Sequence, residues 1–169
     1  LPHETLRQEW APIGAYIQRA LGRPVELVLT HSYRQMVDAL VEGEVHVADL
    51  SAYPYLLARR RDPGIRALAT AVTEQQRTYE SYLVVHRSAR FERLSDLRGR
   101  RICFVDRSST SGYLMPRVLV RRTGVDPDGF FASEQFSGDH YRALRDLLAR
   151  RCDAAAVASR SYHAAPAAG

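Results

Sequence analysis

Leu6, Trp10, Ile13, Ile17 and Leu21 recur three or four residues apart, the spacing of one apolar helix face. That spacing predicts a helix over 4–21, ended by Gly22. Residues 25–30 are apolar and β-branched and predict a strand. Ser32 followed by Gln35 is a capping-box pattern, and it opens a helix with Met36, Val37, Leu40 and Val41 on one side, up to Gly43. A strand over 45–50, a helix capped by Ser51 and a strand over 65–72 follow. Residues 73–78 are polar, and beyond them a second set begins with a strand over 79–86. It continues with a strand over 102–105 and a helix running through Leu114, Val118 and Leu119. A short strand over 133–136, a helix over 139–150 and a strand over 153–157 complete it. Such alternation predicts an α/β fold of mostly parallel sheets flanked by helices. Two lobes are expected, residues 1–76 and 77–165, with a tail at 166–169 and a hinge at 73–78. A small ligand then belongs in the cleft between them.

Composition narrows the function classes. No apolar run approaches the roughly 20 residues that cross a bilayer, and residues 1–9 lack the hydrophobic stretch of a signal peptide. The net charge is +5, yet all 24 basic residues are arginine and asparagine is absent too, which points to a GC-rich coding sequence. The densest spots, Arg59-Arg60-Arg61 and Arg98, Arg100 and Arg101, are not interleaved with aromatics, so they read as solvated charge and not as a nucleic-acid surface. His31, His46 and His86 lack metal-ligand spacing, and no metal or cofactor is expected. Cys103 in one predicted strand and Cys152 just before another read as two buried thiols; pairing in an oxidising compartment is the alternative.

The chemistry concentrates in Ser108-Ser109-Thr110-Ser111-Gly112, between a strand and a helix. A helix start needs one hydroxyl as a cap, and here several stand in a row. Together with the free N–H groups and the positive end of the helix dipole, they suit a tetrahedral oxyanion. Glycine lets backbone and ligand approach closely. Ser111, His140 and Asp106 also have the residue types of a hydrolytic triad. The Gly-x-Ser-x-Gly elbow that presents a serine nucleophile is missing, however, so the chain is not read as an enzyme.

Three stretches resemble the phosphonate/phosphate/phosphite-binding proteins of ABC transporters, which have the type 2 periplasmic-binding fold. One runs from Leu94 through Asp106 to Ser109-Thr110-Ser111-Gly112-Tyr113-Leu114 and Pro116-Arg117. A second is Ala20-Leu21-Gly22-Arg23-Pro24-Val25-Glu26-Leu27 with Tyr33. The third comprises Phe130-Phe131, Gly138-Asp139-His140 and Asp153-Ala154-Ala155-Ala156-Val157. The resemblance covers about Glu4 to Tyr162. It implies a periplasmic receptor that captures a small phosphorus oxyanion for an ABC transporter permease. A ligand-sensing module of a regulatory protein on the same fold is the alternative.

By the same resemblance Ser109, Thr110, Ser111 and Gly112 grip the oxyanion, with Tyr33, Tyr79 and His140 beside it. Tyr53 and Tyr55 are weaker candidates, more suited to packing. Relatives that bind amine-bearing phosphonates hold the ammonium with carboxylates. At the matching position stand Ala158, Ser159 and Arg160, which favours a plain oxyanion. The family's chain also has a strand ahead of the position of Glu4 and a long return segment from the second lobe. Measured against that pattern, an incomplete first lobe and a chain truncated at both ends are expected; a fragment, a degenerate relative and a minimal sensory module would all have this form.

Overall fold

The computed structural model describes residues 3–72 and 78–165. The expected hinge, apart from Thr78, and the expected tail lie outside the described residues. Three helices come first, α1 (His3–Leu21), α2 (Tyr33–Val41) and α3 (Ala52–Arg61). Then follow β1 (Ser81–Val85), β2 (Arg101–Phe104), α4 (Met115–Arg122), β3 (Ser133–Phe136), α5 (His140–Leu148), β4 (Ala154–Ala158) and α6 (Ser159–Ala164). A 3-10 turn over Leu94–Leu97 precedes β2, and a π-helical turn over Thr110–Leu114 leads directly into α4.

The four strands form one sheet in the order β1-β4-β2-β3. The β2–β3 and β2–β4 pairs are parallel, and β1 runs antiparallel along β4. Alternation along β2 and β4 divides the core between the two faces of this sheet. Ile102, Phe104, Ala154 and Ala156 pack on one side with Val120 of α4 and with Phe130 and Phe131. Cys103, Ala155 and Val157 pack on the other with Val105 and with Ala143, Leu144 and Leu147 of α5. Every residue of β4 is buried, as expected of a central strand covered on both faces.

In the first half the predicted helices form and the predicted strands do not. Segments 25–30, 45–50 and 65–72 take part in no ladder among the described residues. β propensity selects an extended segment, but a strand also needs a neighbour to accept and donate its backbone hydrogen bonds. Val28, Val47, Leu68 and Val72 accordingly stay exposed.

The cysteines correct a second expectation, because Cys103 and Cys152 are joined in a disulfide. Parallel pairing of β2 with β4 sets Cys103 opposite Ala155. The chain entering β4 then brings the two Cα atoms to 5.8 Å, within bridging range. Spacing in the sequence did not reveal this contact, because it depends on which strands are neighbours. Among the described residues no helix is long and apolar enough to cross a membrane.

Candidate functional site

The parallel strands β2, β3 and β4 all end at the same edge of the sheet, where open α/β sheets hold their ligands. From β2 the chain passes through Val105 and Asp106 to Ser109, from β3 through Gly138 to His140, and from β4 straight into Ser159 and Arg160. The antiparallel β1 begins at that edge, so Tyr79 and Glu80, which precede it, lie there too.

The serine run is built on a tight turn. Asp106 accepts the Ser108 N–H at Oδ1 (2.7 Å) and the Ser109 N–H at its carbonyl (2.9 Å). Ser109 caps the π-helical turn, its Oγ accepting the Gly112 N–H at 3.0 Å. The Leu114 N–H bonds back to the Ser109 carbonyl at 3.0 Å, which fixes the wide first turn. Ser109 and Ser111 are buried, 1% and 2% exposed, as polar groups seldom are without a purpose. Gly112 is required by packing as well as by turn geometry. A Cβ there would overlap the Val105 side chain and stand 2.9 Å from Ser109 Oγ.

Thr110 has a role that the local pattern did not predict. Its Oγ1 accepts the Tyr53 N–H at 2.8 Å and donates to Ser51 Oγ at 3.2 Å. Ser51, the expected cap of α3, makes no side-chain cap bond. The hydroxyl of Thr110, 57 residues beyond Tyr53, caps that helix in its place. Tyr53 is thus in contact through its backbone, while Tyr55 packs away from the serines and accepts the Ala67 N–H at its hydroxyl (3.2 Å). The Thr110 hydroxyl and the Gly112 N–H are therefore committed within the protein. Ser111 and the N–H groups of Thr110 and Ser111, which head a helix and have no intrahelical partner, remain as donors.

Tyr33 is the first residue of α2 and bonds the Ser109 side chain through its hydroxyl. Burial, reinforced by Tyr79 and Asp106, pushes the Tyr33 phenol above its ordinary value, so it stays a protonated donor. Tyr79 is 38% exposed, with its ring against Arg160. His140 is the first residue of α5, behind the Asp139 cap. Its Nδ1 accepts the Ala158 N–H at 3.2 Å, which places the ring proton on Nε2 and makes that atom a donor. Burial lowers the imidazole to about 4, Arg160 lowering it further and Asp139 opposing, so it is neutral at ordinary pH. An Nδ1 that accepts a backbone N–H is not the Nδ1–H that a triad aspartate orients. The triad geometry is absent.

The structure therefore gathers the first turns of α2, α3, the Thr110–Arg122 helix and α5 at one edge of the sheet. Each brings the positive end of its dipole. Arg160, noted in the sequence together with Ala158 and Ser159, stands at this edge too, its guanidinium over the Tyr79 ring. Among the described residues no group of three or more His, Cys, Asp or Glu side chains could hold a metal ion.

Fold and site together define a class, an α/β binding protein of the periplasmic type. A family model described as "ABC transporter, phosphonate, periplasmic substrate-binding protein" matches residues 1–169, and the chain belongs to that family. It is 26% identical over 158 residues to the phosphate-import protein PhnD of Mycolicibacterium smegmatis, covering 88% of this chain and 49% of that protein. It superimposes with a TM-score of 0.80 on PhnD1 of Prochlorococcus marinus in complex with methylphosphonate, at 19% identity, covering 96% of this chain and 62% of that one. A binding-protein component of an ABC phosphonate transporter from Pseudomonas aeruginosa gives a TM-score of 0.79 at 19% identity, covering 95% and 54%. The chain thus spans about half the length of the curated relative and somewhat more of the solved chains. The family is one of transporter substrate-binding proteins, not enzymes.

Proposed function

We propose that this chain forms the oxyanion-binding part of a receptor that captures a small phosphorus oxyanion (phosphonate, phosphite or phosphate) for an ABC transporter permease. The observation that carries this reading is the buried Ser109–Ser111 run at a helix N-terminus, with the Tyr33 hydroxyl bonded to Ser109. Ser109, Thr110, Ser111 and Gly112 form the cradle. In it Ser111 and the leading N–H groups donate to the ligand, while Thr110 and Gly112 hold the cradle's shape. Tyr33, Tyr79 and His140 donate from around it. All these donors are neutral, so the site attracts an anion through aligned dipoles and hydrogen bonds.

Residues 1–76 act as one lobe and 77–165 as the other, with closure about 73–78 retaining the ligand. The Tyr33–Ser109 and Tyr53–Thr110 contacts support this division of labour, since each joins the two segments. An extracytoplasmic location is supported by the Cys103–Cys152 disulfide, because such bonds persist in oxidising compartments.

Isothermal titration calorimetry with phosphate, phosphite and methylphosphonate tests the reading. We expect at least one to bind, and a Ser109→Ala/Ser111→Ala variant to bind it at least about a hundredfold more weakly, since each bond to a charged group contributes roughly 1.5–3 kcal/mol. Equal affinity in a folded double variant refutes the assignment.

A further inference from the structure

The sheet ends in β3 on one side and in β1 on the other. β3 carries Ser133, Glu134 and Gln135, polar residues of the kind that keep an edge from pairing. β1 reads Ser-Tyr-Leu-Val-Val, with no charge and no proline, and its register against β4 is one-to-one, without a bulge. An open groove of about 440 Å³ runs along Ser81–Val85, with Tyr162 of α6 as its wall.

The phase of the β1–β4 ladder decides which backbone groups face that groove. The Ser159 N–H donates to the Glu80 carbonyl at 2.9 Å, whereas the Ala158 N–H turns the other way, to His140 Nδ1 at 3.2 Å. Glu80, Tyr82 and Val84 therefore aim their backbone polar groups at β4, and Ser81, Leu83 and Val85 aim theirs at the open side. Among the described residues no backbone partner meets them there.

A second β1 matches these groups. Laid antiparallel about a twofold axis at Leu83, it sets Leu83 against the partner's Leu83, and Ser81 against the partner's Val85 at either end. Each of these pairs joins two outward-facing residues, so each exchanges two N–H···O=C bonds. Tyr82 then lies across from the partner's Val84, a favourable aromatic–β-branched pair. Just beyond the strand, Glu80 comes opposite the partner's His86. That end is basic, since His86 and Arg87 are adjacent and Arg150 reaches His86 Nδ1 at 2.9 Å. Antiparallel pairing thus brings the acidic end of one β1 to the basic end of the other, whereas parallel pairing sets Glu80 beside the partner's Glu80.

We propose that β1 is a homodimerisation edge, along which two copies of this chain pair antiparallel over Ser81–Val85 and join their sheets into one. The contact needs no ligand and stands apart from the oxyanion reading.

Sedimentation equilibrium over a range of protein concentrations, with amide hydrogen exchange at each, tests it. We expect a monomer–dimer equilibrium, and protection of the Leu83 and Val85 amides that rises with the dimer. Val85→Pro removes an outward N–H without touching a β1–β4 bond, and Glu80→Arg turns the charge match into repulsion. Each is expected to weaken the dimer at least about threefold, and Glu80→Arg/Arg87→Glu to recover most of the Glu80→Arg loss. A wild type that stays monomeric at every concentration overturns the proposal, as does either single variant, folded, that dimerises as the wild type does. A monomer whose Leu83 and Val85 amides are already protected overturns it equally, because the chain's own residues then cover the edge.

Discussion

At the scale of single residues, the candidate site brings together groups kept neutral where charge would be costly. His140 is the clearest case. Burial lowers its imidazole from 6.5 to about 4, so the unfolded chain takes up a proton before the folded one does. The contribution of neutral His140 to stability is then complete above about pH 6.5, declines as the pH falls toward 4, and is lost below that. The loss amounts to about 3 kcal/mol across that interval. Urea unfolding at a series of pH values in wild type and His140→Gln checks this. The stability difference between them should shrink on acidification, and a difference that is flat from pH 7 to 4 would count against a buried neutral imidazole. Tyr33 follows the same logic with the opposite proton balance: its raised phenol remains a donor throughout the ordinary pH range.

At the scale of elements, much was legible in the sequence because it is local. The α1 and α2 helices follow from apolar periodicity and, for α2, from the Ser32 cap, whose Oγ accepts the Gln35 N–H at 3.1 Å. The strand over Ser133–Phe136 falls where its pattern put it. What failed was pairing, which is never local. Segments 25–30, 45–50 and 65–72 have strand-like composition yet form no ladder among the described residues. The Cys103–Cys152 bond and the capping of α3 by Thr110 likewise depend on which elements lie side by side. The nearness of Tyr33 to the serine run agrees with the resemblance in the sequence, whereas the contact of Thr110 with the start of α3 needed the tertiary arrangement.

The disulfide ties β2 to the entry of β4 across a sequence separation of 49 residues, and both sulfur-bearing residues are buried. Closing a loop of that length stabilises the fold by about 4 kcal/mol in the chain-entropy account. Unfolding of a Cys103→Ala/Cys152→Ala variant should show a loss of that order, and an unchanged midpoint would argue against the bond in solution.

At the scale of the molecule, the candidate site gathers at one sheet edge. The parallel strands lead to the serine run, His140 and Arg160 there, and Tyr79 stands just ahead of the antiparallel β1, which begins at the same edge. From the first half, α2 adds Tyr33 and the start of α3 rests on Thr110. Family membership fits this arrangement, since a receptor needs a rigid anion cradle and a second surface to close on it. The most direct test is a crystal structure of the protein grown with methylphosphonate. The account predicts the phosphonate oxygens within hydrogen-bonding distance of Ser109 and Ser111, with Tyr33 and His140 completing the shell. Methylphosphonate bound elsewhere, with the serine run untouched, would contradict it.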